Sequence, residues 1–215
     1  MSILARFGFL TVVALAFALL AAHPATSGES GGGGTRSLQG EDFLVQDVNV
    51  TAECNQDGVS TVRYTATGPA TGPYPGTFFL SGRVTIGPQE FEGPMEGTVA
   101  GPVLTLSESF VVFSPLATIT GSKTLPENID PSVSQGTCME VTDFPGSGTV
   151  VVVSTQPRYD ATIHEPLGTF HDEGDALLSF TEIDLDVGRI AGFDQFFLQS
   201  DPSPPPDDDD DDDDD

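Results

Sequence analysis

Apolar and polar residues alternate along most of this chain, and that period constrains the fold more than any other feature. In Thr77–Ile86, for example, Phe78 and Leu80 share one parity, whereas Phe79 and Ser81 share the other. Because successive side chains of a strand point to opposite faces, this pattern predicts half-buried β-strands. The predicted strands are Leu44–Cys54, Val59–Thr67, Thr77–Ile86, Val103–Phe113, Ala117–Lys123, Thr149–Ser154, Tyr159–His164, Thr169–Glu173, Leu177–Val187 and Phe193–Leu198.

Glycine and proline separate these short strands, and no amphipathic helix is predicted beyond the N-terminal apolar run. The segment Gly68–Gly76 is predicted to be a loop because its prolines lack the backbone donor that a central strand needs. Many short strands with such turns are typical of all-β domains. We expect a single antiparallel β-sandwich over residues 41–200, with a closed β-barrel as the alternative, since both bury the apolar face and limit open edges.

The N-terminus reads as a secretory signal peptide. Arg6 precedes the apolar run Phe7–Ala22, which is followed by small residues. We therefore assign residues 1–25 to a cleaved signal, with an uncleaved membrane anchor as the alternative. Residues 26–40 are rich in glycine and serine and are predicted to be a flexible linker. The mature chain is then expected to be extracellular or on the cell surface, without a stable membrane span.

The only two cysteines are Cys54 and Cys138. In an oxidising compartment, two cysteines most simply form one disulfide. Two free thiols are the alternative. A zinc site is disfavoured because the cysteines are far apart in sequence and no C-x-x-C pattern occurs.

The formal charge of the chain is −26. Such a surface repels nucleic acid and anionic lipid, and it favours cations and solubility. We therefore expect no nucleic-acid partner. A plainly solvated surface explains the charge, and adaptation to a high-salt habitat is the alternative.

Residues 201–215 form a Pro-rich spacer followed by a polyaspartate run. Nothing in this tail can pack, so it is predicted to be disordered. Its carboxylates are candidates for weak Ca²⁺ binding or for adsorption to a mineral or cationic surface. A solubilising end, or the start of a longer acidic linker, is the alternative. The candidate residues are Asp207, Asp208, Asp209, Asp210, Asp211, Asp212, Asp213, Asp214 and Asp215.

A candidate metal site lies in the segment from His164 to Glu173. A tight connection at Glu165–Gly168 would pair His164 with Thr169 and place His171 on the same face. Two imidazoles near carboxylates suit a divalent metal, and the candidate ligands are His164, His171, Asp172 and Glu173. The alternative is an exposed polar hairpin without a metal.

Catalysis is not supported, because no G-x-S-x-G pattern occurs and no carboxylate pair stands out among so many acids.

Three other features have simple structural explanations. Tyr74 is the one plausible exposed aromatic side chain on which a sugar could stack, although packing within its loop is favoured. Glu182, Asp184 and Asp186 share one strand parity and are expected to form a solvated face. Asn49 stands in a sequon that matters only in a host that glycosylates.

A short pattern occurs twice: R-Y-x-A-T, a loop, and then G-T-F-x-x-x-G. The first copy contains Tyr64, Phe78 and Gly82, and the second contains Tyr159, Phe170 and Gly174. If the two copies are equivalent hairpins, the two phenylalanines are equivalent core residues. Convergence on good strand chemistry is the alternative.

The body also resembles secreted bacterial β-domain proteins, and the stretches that carry the resemblance are Thr65–Ile86 and Tyr159–Gly174. Such domains have no assigned activity, so the resemblance implies no catalytic residue. The expected function is that of a secreted, non-catalytic β-module with a structural, adhesive or surface-display role. The alternatives are a Ca²⁺- or surface-binding protein acting through its tail, and a metal-dependent enzyme at the His164/His171 hairpin. No cofactor is expected beyond weakly held Ca²⁺.

Overall fold

The computed structural model describes residues 36–55, 57–91, 98–144, 146–185 and 188–200. Within them the chain forms thirteen β-strands and a 3₁₀ turn at Pro131–Val133. The strands are β1 (Asp42–Phe43), β2 (Asp47–Glu53), β3 (Ser60–Thr71), β4 (Gly76–Ile86), β5 (Glu90–Phe91), β6 (Thr98–Val99), β7 (Gly101–Phe113), β8 (Thr118–Thr124), β9 (Gln135–Phe144), β10 (Gly146–Thr155), β11 (Arg158–Glu165), β12 (Gly168–Leu185) and β13 (Gly188–Ser200). The predicted all-β class is confirmed. The predicted signal peptide and acidic tail lie outside the described residues.

Eleven of the described strands form one antiparallel sheet that partly closes on itself. The pairings run from β3 through β4, β7, β8, β11, β12, β13 and β1, and β1 returns to β3. The remaining three strands branch from this ring. β2 pairs with β3, whereas β9 and β10 connect the start of β7 to the far half of β12.

The sheet is ring-like but is not a regular barrel. The ring closes through β1, which has only two residues, so the β3–β1 and β1–β13 pairings are short. β12 is long enough to pair with two different strands along the same edge. Its first half pairs with β11 and its second half pairs with β10. Strands of a regular barrel each have two full-length neighbours, and this sheet departs from that rule at β1 and at its branches.

The strand assignments differ from the prediction most at β3, β12 and β9. β3 continues through Gly68 and Pro69 to Thr71, because the Pro69 carbonyl still accepts a hydrogen bond from the Leu44 amide (2.9 Å). The predicted strands Thr169–Glu173 and Leu177–Val187 are parts of the continuous strand β12. β9 was not predicted, because its glycine and acidic residues are poor strand formers. Pairing with β10 along most of its length overrides that preference.

A disulfide joins Cys54, at the end of β2, to Cys138 in β9, as the cysteine count predicts. It links two strands that branch from different parts of the sheet. The Gln89 side chain adds to this junction, because its amide donates to the Cys138 carbonyl (3.0 Å) and accepts from the Cys138 amide (3.1 Å). The disulfide and the Gln89 side chain thus both hold β9 at Cys138.

The centre of the core is aromatic. Phe43 stacks on Phe78 with ring centroids 4.4 Å apart, and it meets Phe110 and Phe197 edge-on at 5.7 and 5.3 Å. Tyr159 packs edge-on against Phe197. These residues come from β1, β4, β7, β11 and β13, so the cluster holds opposite sides of the ring together. Apolar burial of this kind supplies most of the driving force for folding.

The folded body begins before Glu41, where the linker was predicted to end. The Leu38 side chain is 1% exposed, and its amide donates to the Asp172 carboxylate over 2.7 Å. Arg36 pairs with Glu165 (2.8 Å) and lies over the Phe170 ring. We call Arg36–Phe43 the N-terminal strap, because specific contacts hold it against the sheet.

Candidate functional site

The outward side chains of four neighbouring strands form a continuous face without an ionisable group. Three cross-strand rows build it, running from β3 or β4 to β8: Thr67–Phe79–Val111–Thr120, Thr65–Ser81–Ser109–Ser122 and Thr77–Phe113–Thr118. We call these eleven residues the hydroxyl face. The alternation predicted for β4 is confirmed here, since Phe79 and Ser81 point outward while Phe78 and Leu80 are buried.

Two phenylalanines lie next to each other on the hydroxyl face. Phe79 is 47% exposed and Phe113 is 54% exposed, and their rings meet edge-to-face with centroids 6.1 Å apart. Shallow grooves of about 270 and 410 Å³ adjoin Phe79 on its two sides. One groove reaches Asp47 and Asn49 on β2, and the other reaches Ser109 and Val111 on β7. Exposed aromatic surface rimmed by polar groups is typical of a binding site.

The charge of this face differs from that of the chain as a whole. The protein carries a formal charge of −26, but the hydroxyl face has only Ser, Thr, Val and Phe side chains. Ionisable residues border it on several sides: Asp47 lies opposite Thr67, Asp160 lies opposite Ser122, His164 lies opposite Thr118, and Arg83 is two residues from Ser81. The face therefore offers hydroxyl hydrogen bonding and aromatic contact without strong attraction or repulsion of charge.

The predicted histidine hairpin has the expected register. β11 and β12 pair His164 with Thr169 and Thr162 with His171, and Pro166–Leu167 form the turn between them. His164 Nδ1 lies 3.3 Å from Thr169 Oγ1. The two histidines are exposed on the same side of the hairpin.

The structure brings together only part of the predicted metal-ligand set. His171 and Glu173 converge with Asp160, and one donor atom from each residue lies within 4.8 Å of the others. Asp160 was not predicted, although it stands directly opposite Glu173 in the register. His164 is not in this group. Asp172 lies on the opposite face of β12, because adjacent residues of a strand alternate.

Asp172 instead anchors the N-terminal strap. Its carboxylate is buried and accepts hydrogen bonds from the Leu38 amide (2.7 Å) and the Tyr159 hydroxyl (2.9 Å). Tyr74, predicted to pack within its loop, is buried and donates to Glu165 over 3.2 Å. Burial and the adjacent Glu165 carboxylate raise the pKa of Tyr74 to about 12. These contacts join the strap to the β11–β12 hairpin and to the loop after β3.

A second buried carboxylate lies in the strap itself. Glu41 has no exposed side-chain surface, and it accepts a hydrogen bond from the Tyr74 amide (2.9 Å). Desolvation raises the pKa of Glu41 to about 7, against the opposing effect of that hydrogen bond. Glu182 is also buried, so it does not lie on the solvated face predicted for it. The side chains of Asp184 and Asp186 lie outside the described residues.

The most unusual chemistry is inside the ring. Lys123 on β8 and Glu108 on β7 are both fully buried, with Lys123 Nζ 3.1 Å from Glu108 Oε1. Tyr64 donates to Glu108 Oε2 over 2.7 Å. Burial lowers the pKa of the Lys123 ammonium, and the Glu108 carboxylate opposes that shift. The pKa of Tyr64 lies well above its ordinary value because of burial and the adjacent carboxylate.

The sequence analysis did not single out this trio, although Lys123 is the only lysine of the chain. A signal was nevertheless present, because Glu108 shares the parity of Leu106 and Phe110, and Lys123 shares the parity of Ile119. On two consecutive predicted strands, an acidic and a basic residue each occupy a position where the alternation expects a buried apolar side chain. Such a pattern indicates a buried ion pair.

No protein-family model, no curated protein and no solved structure matches this chain. Within the described residues, no helix has the length and apolarity needed to cross a membrane.

Proposed function

We propose that this protein is a secreted, non-catalytic β-module with an adhesive role, and that its hydroxyl face binds neutral polysaccharide. The observation that carries the proposal is an uncharged surface of hydroxyls and two exposed phenylalanines on a strongly acidic chain. Export is supported by the N-terminal apolar run and by the disulfide, which suits an oxidising compartment.

The chemistry of the face favours a neutral, hydroxyl-rich polymer over other partners. Strands are spaced by about 4.8 Å, so hydroxyls on neighbouring strands form regular rows that can donate to and accept from a sugar chain. The faces of Phe79 and Phe113 provide apolar area for the C–H surface of a sugar ring. A polyanionic partner would be repelled by the rest of the protein.

Affinity electrophoresis of the full secreted chain in gels containing neutral or acidic polysaccharides tests this function. We expect retardation by a neutral polymer such as a glucan and none by alginate. Phe79→Ala and Phe113→Ala should each abolish the retardation. Leu167→Ala is the matched control, because Leu167 is a more exposed apolar residue that is not part of the face and lies in the β11–β12 turn. Equal retardation of all variants, or none of the wild type across neutral glucans, chitin and xylan, would refute the proposal.

A second candidate function is divalent-metal binding at Asp160, His171 and Glu173. The observation that favours it is the convergence of these three side chains on one hairpin face. One imidazole and two carboxylates suit Zn²⁺ and leave coordination positions open. Titration calorimetry with Zn²⁺ should show binding that His171→Ala abolishes and His164→Ala retains.

The acidic tail is tested separately for weak Ca²⁺ binding. The same titration with Ca²⁺ compares the full chain with a chain ending at Ser200, and binding by the tail should be lost in the shorter chain.

A further inference from the structure

Lys123 and Glu108 meet as directly opposed residues of neighbouring strands. The β7–β8 register pairs Glu108 with Lys123, and both side chains point into the ring. Directly opposed residues of antiparallel strands have Cβ atoms about 5 Å apart, which leaves the longer side chains room to join end to end. The observed separation of Lys123 Nζ and Glu108 Oε1 is 3.1 Å.

The surroundings of the pair are apolar on the lysine side. Lys123 Nζ lies 4.7 Å from the ring centroid of Phe197, 5.2 Å from that of Phe43 and 5.4 Å from that of Phe110. Neither member of the pair has exposed side-chain surface. Separated charges are costly in such a place, so transfer of a proton from the ammonium to the carboxylate is favoured there more than in water.

We propose that Lys123 and Glu108 condense into an intramolecular amide that cross-links β7 to β8. The reaction starts from the neutral amine and the neutral carboxylic acid. Lys123 Nζ attacks Glu108 Cδ and the N–C bond forms. The C–Oε1 bond then breaks, and Oε1 leaves with its own proton and one proton from Nζ as a water molecule. No oxidant, reductant or other reactant is consumed.

Tyr64 assists this step as a positioning residue. Its hydroxyl donates to Glu108 Oε2, the oxygen that remains as the amide carbonyl. Negative charge develops on that oxygen when Nζ attacks, and a fixed donor stabilises it. Gly82 lies directly opposite Tyr64, and a Cβ at Gly82 would collide with the tyrosine ring. The absence of that Cβ therefore allows the ring to occupy its position.

The chain is unusually suitable for a test, because Lys123 is its only lysine. The full secreted chain is folded at neutral pH, then reduced and denatured, and its intact mass is compared with the sequence mass for its determined N-terminus. We expect a deficit of one water molecule. Trypsin should then fail to cut after Lys123, giving a peptide Val84–Arg158 in which fragmentation places the deficit between Glu108 and Lys123.

Two controls make the result decisive. Chain recovered from inclusion bodies directly into denaturant should have the full mass and should be cut after Lys123, because the reaction needs the folded site. Lys123→Met should have the full mass under all conditions. A folded wild-type chain with full mass and free Lys123, or a water deficit that maps elsewhere, would overturn the proposal.

Discussion

The hairpins β3–β4 and β11–β12 carry the same short sequence pattern, yet their tyrosines hold different parts of the fold. Each register places the tyrosine opposite the last glycine of the pattern, Tyr64 opposite Gly82 and Tyr159 opposite Gly174. Both tyrosines are buried and donate to a buried carboxylate. The two copies are therefore the same structural unit in register and in tyrosine chemistry.

The difference lies in where the carboxylate comes from and what else it contacts. Glu108 comes from β7, a neighbour of the first hairpin, and it faces the Lys123 ammonium. Asp172 belongs to the second hairpin itself and receives the amide of Leu38. One hairpin thus stabilises the interior of the ring through side chains, whereas the other fastens the N-terminal strap through the backbone.

The phenylalanines of the pattern show the same division. Phe78 is fully buried and stacks on Phe43, as a core residue should. Phe170 is only half-buried, and the Arg36 guanidinium lies 3.5 Å from its ring centroid. The expected equivalence as core residues therefore holds for Phe78 and only partly for Phe170. A repeated pattern fixes register, but the neighbours of each copy determine its burial.

Removal of the lysine should have the largest effect. Lys123→Met removes the proposed cross-link and leaves the buried Glu108 side chain without a basic partner, and we expect a loss of at least about 3–5 kcal/mol in the free energy of unfolding. Chemical denaturation measures it. The double variant Lys123→Met/Glu108→Leu should recover the part of this loss that comes from the unpaired Glu108, because apolar groups then replace both residues. No recovery in the double variant would show that the unpaired Glu108 does not contribute to the loss.

Substitution of the two tyrosines separates the roles of the hairpins. Tyr64→Phe and Tyr159→Phe each remove a hydrogen bond to a carboxylate, and each should cost about 1.5–3 kcal/mol. Hydrogen exchange of the Leu38 amide distinguishes the two variants. Tyr159→Phe should accelerate this exchange, whereas Tyr64→Phe should not. Equal acceleration in both variants would mean that the strap does not depend on the second hairpin.

Glu41 should make stability depend on pH, because the strap that carries it reaches both hairpins. Its pKa is raised from 4.5 to about 7 in the fold, so the folded state binds the proton more tightly than the unfolded state. The resulting stabilisation is fully present below pH 4.5 and is lost as the pH rises through about 7. In thermal melts from pH 4.5 to 8, Glu41→Gln should remove this contribution. An unchanged profile would contradict the assignment.

The smallest effect is expected at the outer end of the strap. Arg36→Ala removes a partly exposed ion pair with Glu165 and a contact with the Phe170 ring, so we expect a loss of about 0.5–1 kcal/mol. Denaturation at low and high salt measures it, and the difference from wild type should shrink at high salt. Arg63→Ala is the control, since its pair with Glu53 is more exposed.

The sequence predicted the parts of this protein that depend on local pattern. Alternation placed Phe78 inward and Phe79 outward, and the tight connection predicted the pairing of His164 with Thr169. Prediction from the sequence failed where contacts with residues far away in the chain outweigh the local preference of a residue. Pro69 stays in a strand because Leu44 donates to its carbonyl. Asp172 was predicted to be a metal ligand, but its carboxylate is buried, where Leu38 and Tyr159 donate hydrogen bonds to it.

The sequence by itself determined the all-β class, the face to which most strand residues point, and the only cysteine pair that the chain can form. Tertiary structure alone decided that β7 lies beside both β4 and β8, so that Tyr64 and Lys123 meet the same carboxylate on Glu108. It also decided that Asp160 joins His171. The physical reason is that backbone hydrogen bonds between strands are nearly independent of sequence. The identity of a strand's neighbours therefore comes from packing of the whole core.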